Sequence, residues 1–242
     1  MPKIFPEAGM ENLVICVTGA GARKPFSAFI ASTIPDLELL EKAQCFPLYA
    51  YEKAKDRDET QGELLAVQES GGYTRKENIP ATTLHRFQAH YADSTITRED
   101  VFYYVYGILH SPEYKTRFAS DLKKMLPRIP FAPDFWRFSH AGRELAQWHL
   151  NYETIEPYDV KEHSDTLAVD EKAHYRVEKM AFAKAGKVVD KTTLHYNSRI
   201  RISGIPLQSY DYIVNGKPAI EWVMERYAVT TDKDSGIRND PN

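Results

Sequence analysis

Apolar and polar positions change texture twice along the chain, marking three regions. Up to about residue 90 the pattern is that of strands. Leu13-Val14-Ile15-Cys16-Val17 is a short continuous apolar run ending at Gly19, which suits a buried strand. Cys45 to Tyr51 is aromatic and runs out into polar residues, predicting a second strand. Residues 52–80 are polar and carry Gly62, Gly71-Gly72 and Pro80, so they are expected to form a long, partly mobile connection.

From about residue 91 to 150 the period becomes helical. Thr97-Arg98-Glu99-Asp100 resembles a capping box, and Val101, Phe102, Val105, Ile108 and Leu109 then share one helical face. Ser111-Pro112 is a cap followed by proline at the first helical position, opening a second helix that Tyr114, Phe118, Leu122 and Met125 carry to Pro127. A third helix is expected from Asp134 to about Leu150. Strand patterns then return. His174 to Ala183 and Val188 to Tyr196 flank Lys184-Ala185-Gly186-Lys187, a hairpin signal. Arg199 to Ile202 predicts a further strand, Asn215-Gly216 a turn, Pro218 a helix start, and Thr230 to Asn242 a loop. These elements predict a mixed α+β fold: a strand-rich part from the N- and C-terminal regions packed beside a helical segment. Residues 1–90 read as a strand-rich part, 91–160 as the helical part, and 161–242 as a strand-rich part with a C-terminal helix.

Charge qualifies this picture. The net charge is −3 and the pI about 6.3 over 242 residues, unlike domains that grip nucleic acid by bulk charge. The distribution is uneven: Lys115 to Arg143 holds seven Lys/Arg against two acids, and Lys172 to Arg201 eight against two. Such runs suit local phosphate-facing surfaces, or else the solvated faces of a helix and a hairpin. Cys16 and Cys45 lie in apolar runs, as reduced buried thiols of a cytoplasmic protein do; a disulfide between them stays open. No apolar stretch is long enough for a membrane span and no signal peptide is visible.

Familiar catalytic signatures fail. Gly19-Ala20-Gly21-Ala22-Arg23-Lys24 begins like a dinucleotide-binding fingerprint, but Lys24 replaces the third glycine and Pro25 follows. The turn reads equally as a glycine turn between strands whose exposed N–H groups, with Arg23 and Lys24, hold a DNA phosphate. The histidines show no His-Glu-x-x-His spacing and no Cys-x-x-Cys exists, so no zinc site, catalytic set or metal centre is predicted.

Several segments in order resemble one family: Pro25-Phe26-Ser27; Gln44-Cys45-Phe46-Pro47-Leu48-Tyr49; Phe102 to Tyr114; Leu126-Pro127-Arg128-Ile129-Pro130-Phe131; Gly142-Arg143-Glu144-Leu145; His149-Leu150-Asn151-Tyr152-Glu153; Asn215 to Trp222; and Thr231 to Ile237. The series resembles the C-terminal specificity (target-recognition) domain of Type ISP restriction-modification enzymes, and more loosely that of Type IIG enzymes. The resemblance implies a piece of a longer bacterial polypeptide, with Met1 added and the family's domain continuing past Asn242. Nuclease, helicase-like ATPase and adenine amino-methyltransferase parts would then lie elsewhere. S-adenosylmethionine, ATP and Mg would serve those parts, with no cofactor on this chain. The chain itself would read double-stranded DNA.

Chemical type and expected exposure pick out where DNA is touched: Arg23, Lys24 and Ser27; Asn197, Arg199 and Arg201; and, as a third set, Arg75, Lys76 and Asn78. In a strand Arg199 and Arg201 would share one face while Ile200 and Ile202 face the core. Two other readings stand beside DNA recognition. One is docking onto the methyltransferase or helicase-like domains of the same polypeptide. The other is a small-molecule enzyme using the Gly19–Lys24 turn.

Overall fold

The structure, a computed structural model, describes residues 3–36, 38–53, 69–70, 72–164 and 170–242. It forms two compact units, Met1–Ile155 and Glu156–Asn242.

In the first unit, β1 (Val14–Val17) is the middle strand of an antiparallel sheet with β2 (Ala28–Ala31) and β3 (Gln44–Pro47). Both of its faces are covered, which is why its sequence is apolar throughout rather than alternating. Ile15 and Val17 join the main core, while Val14 and Cys16 pack with Phe5 and Leu40 on the other side. Cys16 lies opposite Cys45 across β1 and β3; both thiols are free, their sulfurs 3.7 Å apart. Desolvation first, then Cys45, pushes the Cys16 thiol up to about 12, so it stays protonated.

The expected strand from Cys45 to Tyr51 breaks at Leu48, whose N–H donates to the Leu13 carbonyl at 2.8 Å. Beyond it β4 (Tyr49–Lys53), β5 (Glu69–Ser70) and β6 (Tyr73–Glu77) form a second antiparallel sheet in the order β4-β6-β5. The connection expected over 52–80 is therefore partly strand; residues 54–68 and 71 lie outside the described residues. A helix, α1 (Ala81–Tyr91), follows where strand texture was expected. Only Leu84, Phe87 and Tyr91 mark its inner face, too sparse a signal to stand out among polar neighbours.

Four more helices follow: α2 (Arg98–His110), α3 (Pro112–Arg117), α4 (Ala119–Leu122) and α5 (Phe135–Leu150). The capping box forms as read, with Thr97 Oγ1 accepting from Asp100 N and Asp100 returning the bond to Thr97 N. Asp100 and Glu99 also accept from Arg143 of α5, at 3.1 and 2.7 Å. The single helix expected from Ser111 to Pro127 is instead two short ones, broken at Phe118. The proline-rich stretch after it has no regular ladder, so tyrosines satisfy its backbone. Tyr114 Oη donates to Arg128 O, Tyr104 Oη donates to Pro130 O while accepting from Ala132 N, and Tyr91 Oη donates to Ala132 O.

The crossing of α2 and α5 has no side chains between the backbones. A Cβ on Gly107 would meet Phe138 O at 2.3 Å, and one on Gly142 would meet Tyr103 O at 1.9 Å. At the far ends of the two helices His110 and His149 stack obliquely, ring centroids 5.4 Å apart, and His110 Nε2 is buried without a partner among the described residues. Burial, then Lys115 and His149, pull the His110 imidazole down to about 3, against a bond to the Ala28 backbone.

The second unit is built on an antiparallel sheet in the order β7-β10-β9-β8: β7 (Lys161–Ser164), β8 (Ala181–Ala185), β9 (Val188–His195) and β10 (Ile200–Ser203). Strand β8 starts later than expected, because Glu171–Tyr175 is a short helix, α6, capped by Asp170. Val177, Met180, Leu194 and Ile205 form the core, with Phe182, Ile202, Ile220 and Met224 packed on it. Asn215 and Gly216, both at positive φ, close β11 (Ile213–Val214) onto β12 (Lys217–Pro218), and α7 (Ala219–Arg226) follows. The tail expected as loop carries two short paired strands, β13 (Thr230–Thr231) and β14 (Arg238–Asn239), and Asn242 exchanges two hydrogen bonds with Val177. The mixed α+β class holds. The strands of the two ends, however, do not share a sheet among the described residues: each set is paired within its own unit.

Two measurements check this packing. Gly142→Ala should destabilise the chain by about 1–3 kcal/mol or more in denaturant unfolding, since backbone blocks the added methyl. His110, kept neutral in the fold, contributes stability that is complete above its unfolded pKa of about 6.5 and drains away as pH falls toward 3. His110→Gln should flatten that acid limb in thermal unfolding followed between pH 7 and 4.

Candidate nucleic-acid interface

The residues singled out for DNA fall in both units. In the first, the Gly19–Lys24 turn joins antiparallel β1 to β2, and no helix N-terminus follows it to receive a pyrophosphate. Its amides are used internally. Arg23 N and Lys24 N donate to one oxygen of Glu41 at 3.0 and 2.9 Å, and Arg23 Nε donates to the other at 3.0 Å. Those bonds, led by the Lys24 N–H, hold the Glu41 carboxyl below its ordinary value. Glu41 thus sits where the sequence suggested a phosphate.

The turn gains neighbours that spacing did not reveal. Gly21 N donates to Lys123 O at 2.9 Å, which brings the loop after α4 alongside. Arg23, Lys24, Lys123 and Lys124 are all exposed, with Arg23's side chain 93% accessible, and exposed Lys42 donates from its ammonium to Gly21 O at 2.8 Å, so five cations lie around one turn. Ser27 does not belong to this surface. It is buried, its N–H held by Thr18 Oγ1 at 3.0 Å.

Arg75 and Lys76 stand on β6, each already engaged. The Arg75 guanidinium lies over the Tyr49 ring at 4.2 Å, and Lys76 pairs with Glu52. Arg75 also lines a cleft of about 1050 Å³ together with Glu7, Glu11 and Glu99, carboxylates that repel a phosphate. Asn78 pins the strand end, its N–H on Leu48 O and its side-chain amide on Pro47 O.

In the second unit the alternation read from sequence is realised. Ile200 is buried, Ile202 packs on the core and Arg201 between them is exposed. Arg199 is exposed too but precedes the strand, in a turn organised by Asn197. Asn197 is fully employed: its Oδ1 accepts from Arg199 N and Ile200 N at 2.8 Å, and its Nδ2 donates to His174 O and Arg176 O. It is a positioning residue for β10.

Register shows what surrounds Arg201. It lies directly opposite His163 of β7 and His195 of β9, so the three side chains share one sheet face. Lys161, two residues before His163, faces the same way and is exposed, as are both histidines. Ser203 on this face bonds His163 Nε2 at 2.8 Å. Lys161, His163 and His195 were not singled out from sequence, because the row exists only once three strands are aligned. Chemically it offers four side chains able to donate hydrogen bonds, Lys161 and Arg201 among them cationic, on an exposed sheet face, suited to phosphate oxygens and purine edges.

No curated protein matches the chain. Among solved structures, it is 34% identical to a chain in a DrdV–DNA complex determined by electron cryomicroscopy, with a TM-score of 0.80, covering 99% of this chain and 22% of that one. A nuclease-deletion mutant of the Type ISP restriction-modification enzyme LlaGI, in complex with a DNA substrate mimic, is 34% identical with a TM-score of 0.72, covering 100% of this chain and 19% of that one. The ATP-dependent Type ISP enzyme LlaBIII, bound to DNA, is 34% identical with a TM-score of 0.77, covering 100% and 14%. This chain therefore spans about a fifth or less of the length of the chains it matches. Residues 1–242 also match the Type ISP C-terminal specificity domain, and the chain belongs to that family.

Proposed function

We propose that the chain is the part of a restriction-modification polypeptide that reads a sequence in double-stranded DNA and directs adenine methylation and cleavage carried out by other parts. The observation that carries this reading is the full-length match to a specificity domain whose similar solved structures hold DNA. The exposed row around Arg201 and the five cations around the Gly19–Lys24 turn support it. In this reading the chain is not itself catalytic. S-adenosylmethionine, ATP and Mg serve the methyltransferase and helicase-like domains on which it docks, in the bacterial cytoplasm. The Gly19–Lys24 turn suits neither S-adenosylmethionine nor ATP, since Glu41 already occupies its amides.

A mobility-shift assay on duplexes selected from a random-sequence library, repeated over a range of salt, tests the role. Arg201→Ala is expected to cost about 1–3 kcal/mol and relax preference at one base pair. Arg23→Gln with Lys24→Gln should weaken all duplexes alike and lower the salt slope by about two. Asn197→Ala should instead lower the unfolding midpoint, by about 1–3 kcal/mol of stability, because backbone N–H and C=O groups lose their partner. Absence of any duplex preference in the unaltered polypeptide sinks the reading.

A further inference from the structure

The β8–β9 hairpin changes character along its length. At its base Phe182 faces Leu194 in the core of the second unit, and Lys191 pairs with Glu221 at 2.7 Å while lying over the Tyr210 ring. The register then slips between Phe182 and Ala183. Past the slip only Ala183↔Asp190, Lys184↔Val189 and Ala185↔Val188 remain paired. Gly186 and Lys187 close the ribbon, with positive φ at Gly186 alone, as a type II′ turn requires.

Neighbouring residues of a strand point to opposite faces. Val188 is nevertheless 69% exposed and Val189 48%. Beyond the half-buried Ala183–Asp190 pair, both faces of the ribbon are exposed. Its charge is also one-sided. Lys184 and Lys187 are exposed and form no ion pair among the described residues. The one carboxylate, Asp190, is folded back onto the N–H and hydroxyl of Thr192 at 2.9 and 2.6 Å.

We infer that this ribbon enters the major groove of DNA, placing one of its two valines, which face opposite ways, against thymine methyl groups and Lys184 and Lys187 on flanking phosphates. The inference rests on the DNA-recognition reading above and adds to it a reading element. The groove, about 12 Å wide, admits a two-stranded ribbon, and the thymine C5 methyl is the apolar feature it displays. The groove meets both features at once, with phosphates along its two rims for the lysines and methyl groups on its floor for a valine.

The test uses the polypeptide that carries the chain, with duplexes it selects from a random-sequence library. Thymines of the selected site are replaced one at a time by uracil, which removes only the C5 methyl. One or more replacements should weaken binding about fourfold, the cost of unburying one methyl-sized group. Val188→Ala or Val189→Ala should abolish that sensitivity. Lys184→Gln with Lys187→Gln should lower the salt slope by about two, with the unfolding midpoint unchanged. If the valine variants keep the uracil sensitivity and the lysine variants keep the salt slope while binding stays sequence-specific, the ribbon does not read DNA and the proposed function stands. A lowered unfolding midpoint in the valine variants, with DNA binding intact, assigns the ribbon to a protein contact and equally overturns the inference. Loss of all duplex preference in the unaltered polypeptide removes the functional reading itself.

Discussion

The first unit depends on one close approach, backbone against backbone, where α2 crosses α5 at Gly107 and Gly142. Because no side chain separates the helices there, the flanking side chains must fill the remaining space tightly. Tyr103, Tyr104 and Tyr106 do so on α2, and Phe135, Ser139 and Ala146 on α5. Each tyrosine brings a large apolar ring and a hydroxyl that needs a partner. Tyr104 and its neighbours Tyr91 and Tyr114 spend those hydroxyls on backbone groups of the proline-rich stretch after α4, which has no regular ladder of its own. The abundance of tyrosine is thus partly a scaffold requirement, and tyrosine count says little about a binding surface here.

The same helix pair explains the sheet in front of it. Ile15 and Val17 of β1 pack into the helical core, while Val14 and Cys16 need a second, smaller cluster behind. A strand covered on both sides cannot present a reading face. The turn after it carries the exposed cations Arg23 and Lys24. Glu41 completes that turn from within, accepting from the Arg23 and Lys24 backbone N–H groups and from the Arg23 guanidinium, so internal bonds hold the turn's backbone and the Arg23 side chain in place.

The second unit works differently. One face of its sheet carries Leu194, Ile202 and Phe182 into the core, and on the opposite face Lys161, His163, Arg201 and His195 are exposed. A one-sided antiparallel sheet is an economical way to display a row of side chains at fixed spacing. Arg201 sits at the centre of such a row, and Asn197 fixes where the strand begins by holding four backbone groups at once.

Local signals were legible in the chain. The Thr97 capping box, the Ser111-Pro112 start, the helix from Asp134, the hairpin around Gly186 and the Ile200-Arg201-Ile202 alternation each follow from backbone hydrogen bonding within a few residues. The ordered family motifs were legible as well. What lay beyond reach depends on distance in sequence. Helix α1 draws its stability from tertiary burial of only three apolar side chains. Asn78 and Asn197 looked like base readers, because an amide's type does not show that the fold has claimed it. Glu41 and Lys123 meet the Gly19–Lys24 turn from about twenty and a hundred residues away, and His163, Arg201 and His195 form a row only through strand register. Sequence by itself determined the family and those elements that carry a local signal. The tertiary structure alone decided which polar groups remain for a partner, because hydrogen-bond satisfaction is settled between segments that no local pattern connects.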